Sequence, residues 1–205
     1  MPKLLTRIYP DYAAADLTIK ALKSAGLGED DISILASNAA GWHRANGDNV
    51  DPKYDKDRDG RDDRAEGAAT GAGIGALAGG AAVGLGLIAV PGVGPVVAFG
   101  WLAVLAGGTL TAGAAGGIIG ALVESGVSKE NADIYAEALR RGGAVVTARV
   151  PDEEEGPYGV LMDNSALDPT NLAASYRRAG WEGFDAASSS LTSGQARREQ
   201  DDYRR

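Results

Sequence analysis

The chain has no cysteine, so it can hold no disulfide framework, no thiolate nucleophile and no cysteine-ligated zinc or iron–sulfur site. It has one histidine, His43, which excludes multi-histidine metal sites and leaves any serine triad a single candidate base. Positive charge is in deficit: 20 Lys and Arg against 28 Asp and Glu give a net charge of -8, so there is no overall basic field to grip nucleic acid. Aromatic residues make up only 6% of the chain. The sharpest absence is local, because 57 consecutive residues, Gly67 to Val123, carry no charged side chain. With so few chemical parts the expectation is a protein that is not an enzyme, with no nucleic-acid partner and no identified small-molecule substrate.

What is present fits one ordinary domain carrying an insertion, since 205 residues would crowd two. Residues 1–37 read as strand, helix and strand. Lys3 to Tyr9 and Asp31 to Leu35 are the extended runs; between them Asp11 caps a helix that Gly26 ends. Ala14, Leu17 and Ala21 are its expected core side, and Asp16 and Lys20 its surface ion pair. No continuous apolar stretch follows Lys3, so no signal peptide is expected. After Glu124, Ser128 caps a helix over 129–141 whose core stripe is Ile134, Ala138 and Leu139. Glu137 and Arg141 stand at pairing distance, and Gly142-Gly143 ends the helix before a strand over 144–150. A short helix or edge strand is expected within 152–182, and 186–205 reads as a polar tail. The chain therefore divides into 1–37, the first half of an α/β domain; 38–66, an acidic linker; 67–123, the uncharged insertion; 124–185, the second half; and 186–205, the tail. The expected class is α/β (α+β), a small ferredoxin-like βαβ–αβ sheet.

Glycine, 30 residues in all, organises the insertion. Gly67, Gly71, Gly75 and Gly79 recur every fourth residue, as do Gly108, Ala112, Gly116 and Gly120. Pro91-Gly-Val-Gly-Pro95 falls between them, leaving arms of 24 and 28 residues, each long enough for the roughly 20 that span a bilayer. Folded at that turn as two helices, the ladders pair 67 with 120, 71 with 116, 75 with 112 and 79 with 108, a small-residue register that lets backbones approach closely. The expectation is an antiparallel Gly/Ala-rich helical hairpin, buried either in membrane lipid or among copies of the same chain. Gly71-Ala-Gly-Ile-Gly-Ala76 also satisfies a relaxed dinucleotide pattern, but it follows a charged linker where that fold needs a strand.

Residues 55–66 fit the calcium-loop pattern. Asp55, Asp57 and Asp59 occupy positions one, three and five, Gly60 is at six, Arg61 offers its carbonyl, Asp63 acts directly or through water, and Glu66 closes the loop at twelve. Four cations within the loop, Asp62 where an aliphatic residue is usual, and the lack of a paired copy make a solvated mixed-charge linker the rival reading. Calcium is the one cofactor the chain suggests.

Several segments together resemble one family. They are Ala21-Leu-Lys-Ser-Ala-Gly26, Asp30-Asp-Ile-Ser-Ile-Leu35, Glu66-Gly-Ala-Ala-Thr-Gly-Ala-Gly73, Ile88-Ala-Val-Pro-Gly-Val-Gly-Pro95, Ala132-Asp-Ile-Tyr-Ala-Glu-Ala-Leu-Arg-Arg-Gly-Gly143 and Tyr176-Arg-Arg-Ala-Gly-Trp181. Over residues 1–185 the chain resembles the bacterial general stress protein 17M-like family, which includes proteins named low-temperature-induced. The resemblance implies a small α/β domain with a glycine-zipper hairpin and an association with stress, and it transfers no catalytic residue. The functional expectation is a non-enzymatic stress protein that associates with the inner membrane, its α/β domain on the cytoplasmic side, and with itself through the hairpin. The alternatives are a cytoplasmic homo-oligomeric scaffold with the hairpins as its core, and a calcium-responsive binding module.

Overall fold

The computed structural model describes residues 2–42, 86–90, 92–102, 117–189 and 191–203. Five strands form one antiparallel sheet: β1 (Lys3–Tyr9), β2 (Ile32–Ser37), β3 (Gly86–Val90), β4 (Gly94–Phe99) and β5 (Ala144–Val150), in the order β1-β5-β2-β4-β3. β5 lies between β1 and β2, pairing Tyr9 with Ala144 on one side and Ile32 with Ala148 on the other. β1 and β2 are thereby parallel with one strand between them, the split βαβ arrangement. The mixed α/β class expected from the alternating pattern is the class observed.

Helices cover both faces. α1 (Tyr12–Ser24) and α4 (Glu155–Asp163) share a core with Leu5, Tyr9, Ile32, Ile34 and Val146. α2 (Gly117–Glu124), α3 (Lys129–Arg140) and α5 (Pro169–Arg178) pack on the other face against Ile8, Leu35 and Val145. This explains why every residue of β2, and every residue of β5 except Arg149, is buried: strands covered on both faces need apolar side chains in both phases of the pleat. A last helix, α6 (Ser193–Tyr203), follows the Asp185–Ser188 turn.

The caps sit where the residue types place them. Asp11 accepts from the Ala14 N–H at 2.9 Å, and Ser128 from the Asn131 N–H at 3.3 Å. Gly26 and Gly142 end α1 and α3 at φ +98° and +104°. Asp16 pairs with Lys20 at 2.7 Å and Glu137 with Arg141 at 2.6 Å.

Three expectations are corrected. The buried stripe of α1 is Ala15, Thr18 and Leu22, whereas Leu17 is 68% exposed; the run Ala13-Ala-Ala15 fits several helical faces, and the sheet selects the one carrying Leu22. Residues 86–99, assigned to the middle of a helical hairpin, form instead the β-hairpin β3–β4, pairing Leu87 with Val97 and Val90 with Gly94. The four-residue spacing of the ladders does not extend into this stretch. Leu87-Ile-Ala-Val90 and Val96-Val-Ala-Phe99 are short β-formers around a proline–glycine turn, and β4 finds an open edge on β2, pairing Ser37 with Val96. Residues 186–205 are not simply a loose polar tail, since α6 lies on the domain. The rest of the insertion, 67–85 and 103–116, and the acidic loop fall outside the described residues.

Candidate functional site

The described part of the uncharged interval is anchored firmly. Val90, Val93, Val96 and Leu102 are buried in the same core as α2 and α3. The hairpin turns with the Val93 N–H donating to the Val90 carbonyl at 3.1 Å, Gly92 adopting φ +74° beside Pro91. At its exit Gly100 crosses β2 so closely that a Cβ would lie 2.4 Å from the Ile32 carbonyl oxygen and 2.5 Å from Ser33 Oγ. The same Ser33 hydroxyl accepts from the Leu102 N–H at 3.0 Å, and the Asn38 N–H donates to the Pro95 carbonyl at 2.7 Å. These contacts fasten both sides of β4 to the domain.

Of the eight ladder positions, Gly67, Gly71, Gly75, Gly79, Gly108, Ala112 and Gly116 lie outside the described residues. The eighth, Gly120, is in α2. That helix turns Ile118, Ala121 and Leu122 into the core and holds Gly120 where no atom lies within 4 Å of a notional Cβ. The ladder's last rung is therefore half-buried and meets no described neighbour that a Cβ would touch. Asp55, Asp57, Asp59, Arg61, Asp63 and Glu66, the calcium-loop candidates, also lie outside the described residues. Within those residues no group of three or more His, Cys, Asp or Glu is disposed to hold a metal. No described helix is long and apolar enough to cross a membrane.

A second cluster, centred on the Glu137 carboxylate, lies at the C-terminal end of α3. This side chain is 2% exposed and accepts from Arg140 Nε at 2.8 Å and Arg141 Nε at 2.6 Å. A buried carboxylate demands such charged donors, and two arginines from its own last turn supply them. Arg141 reaches further. Its Nη1 donates to Glu199 on α6 at 3.0 Å, and its guanidinium lies 4.4 Å from the Tyr176 ring centre on α5. Trp181 meets Tyr176 edge to face at 5.8 Å and packs on the core. The sequence reading paired Glu137 with Arg141 but missed Glu199; the available signal was Ala196 and Glu199 on one face of a Thr192-capped segment.

An open cleft of about 550 Å³ is bordered by Asp31, Asp152, Glu153, Glu154 and Tyr158. The Tyr158 hydroxyl donates to the Ala25 carbonyl at 3.2 Å and keeps its proton above the usual tyrosine range, through desolvation first and the Glu154 carboxylate second. On the other face Arg149 stacks 4.2 Å over Trp101, whose buried indole N–H has no partner among the described residues. Comparison of the chain with family models, with curated proteins and with solved structures finds no match.

Proposed function

We propose that the chain is a non-enzymatic assembly protein whose copies associate through the glycine-rich, uncharged segments flanking the β3–β4 hairpin. Its link to stress rests on the resemblance to the general stress protein 17M-like family. The observation that carries the reading is α2. This helix commits Ile118, Ala121 and Leu122 to its own core and leaves Gly120 half-buried with no described atom within 4 Å of a notional Cβ, a disposition that suits a small-residue ladder receiving another backbone. The clamped hairpin argues against two unbroken spanning arms. It divides the interval, leaving 19 uncharged residues before β3, over 67–85, and 24 after β4, over 100–123. The second ends in α2, whose Ile118, Ala121 and Leu122 are committed to the domain's own core, so it is not free along its whole length to supply the roughly 17–25 residues a transmembrane helix needs.

The first segment does reach that length, which favours membrane association as the second reading. Light scattering of the full chain without detergent decides between them. A defined particle of several copies, reduced in mass by Gly75→Leu or Gly120→Leu, is the expected result. A monomer without detergent, together with retention in membrane pellets after alkaline carbonate extraction, would replace self-association with membrane insertion.

A further inference from the structure

The C-terminal segment is seated at four points. First, the backbone at Asp185 and Ala186 lies against the hairpin tip: a Cβ on Gly92 would sit 2.7 Å from the Ala186 Cα and 3.0 Å from the carbonyl oxygens of both residues. Second, Ala196 is fully buried. Third, Glu199 accepts from Arg141 at 3.0 Å. Fourth, Arg197 reaches the Ala40 carbonyl, just beyond β2, at 3.5 Å. The segment thus contacts the two places that bracket the hairpin, its tip and the end of the strand it pairs with.

Its hold is weak by construction. Among the described side chains of α6 only the Ala196 methyl is buried, and the helix's ion pair joins a 14% exposed arginine to a 34% exposed glutamate. Its own order comes from a local capping box, in which the Gln195 N–H donates to Thr192 Oγ1 at 3.4 Å and the Thr192 N–H to Gln195 Oε1 at 3.0 Å. A helix capped by itself and lightly docked can leave as a unit without unfolding the domain.

We infer that residues 185–189 and 191–203 form a charge-latched strap that holds the β3–β4 hairpin on the sheet, so that release of α6 loosens the hairpin and, on the self-association reading, favours assembly. The inference rests on the self-association reading for its consequence and not for its mechanism. Arg141 already serves Glu137, so the latch is broken from the strap side, by Glu199→Gln, which removes the charge, and by Ala196→Glu, which places a carboxylate in the buried seat.

The test is hydrogen exchange of the full chain followed by mass spectrometry, with light scattering on the same samples. In either variant the α6 amides should exchange about tenfold faster, the loss of one charge-assisted contact. The hairpin amides, including Val93 and those of β4, should accelerate with them, and high salt should do the same to the parent. Fast α6 with unchanged hairpin amides would overturn the coupling, and unchanged α6 in both variants would overturn the latch. If strap and hairpin accelerate together while every sample stays monomeric, the strap stands and the self-association reading falls.

Discussion

The phenol of Tyr9 sits fully buried between β1 and α4, and its hydroxyl donates to the Met162 carbonyl at 2.6 Å. Burial raises the cost of phenolate there, pushing the pKa up to about 12, with desolvation the dominant cause. In the unfolded chain the same group ionises near 10. The folded state therefore keeps a proton that the unfolded state gives up, and its contribution is complete below pH 10 and lost as pH rises through about 12. Denaturant titrations between pH 9 and 12 should show the parent losing about 2 kcal/mol over that window, on the linkage between proton uptake and stability. Tyr9→Phe should begin lower by about 1 kcal/mol for the missing hydrogen bond but fall less steeply. Parallel curves for parent and variant would remove Tyr9 as the source. Glu137 meets burial differently, with two guanidinium groups in place of its water.

Gly100 and Gly126 separate backbone conformation from close approach at the level of whole elements. Both have positive φ, +81° and +93°, but Gly126 faces open space whereas Gly100 lies against β2. Gly126→Ala should cost about 1 kcal/mol, the left-handed penalty alone. Gly100→Ala should cost about 3 kcal/mol or more, because its Cβ would also drive β4 off the Ile32 carbonyl, and urea unfolding reads both. Equal losses would show that the hairpin exit is not clamped. This junction is also where the sequence was hardest to read. β1, α1, α3 and β5 were legible because Asp11, Ser128, Gly26 and Gly142 mark their ends and the apolar residues fall into period. The hairpin was not, since an uncharged run rich in glycine satisfies a helical spacing as readily as a short strand pair, and only the open edge of β2 decides. α6 was hard to read for a related reason: on a polar helix, Ala196 and Glu199 with the Thr192 cap give only a faint one-sided pattern.

At the scale of the molecule, a net charge of -8 must be reconciled with the proposed assembly through an uncharged interval. Copies that meet by apolar and backbone contact bring their acidic domains together, and like charge resists the approach. Salt screens this repulsion, the Debye length falling from about 30 Å at 0.01 M to about 8 Å at 0.15 M, while leaving close packing of small residues nearly untouched. The scattering mass at fixed protein concentration should therefore rise between roughly 0.02 and 0.5 M sodium chloride. Salt also weakens the Arg141–Glu199 latch, which would act in the same direction. Glu199→Gln removes that contribution, so a rise that persists in the variant isolates repulsion between domains, whereas a rise confined to the parent assigns the whole effect to the strap. A mass that falls with salt in both would mean that ion pairs hold the copies together and that the glycine ladder is not the contact.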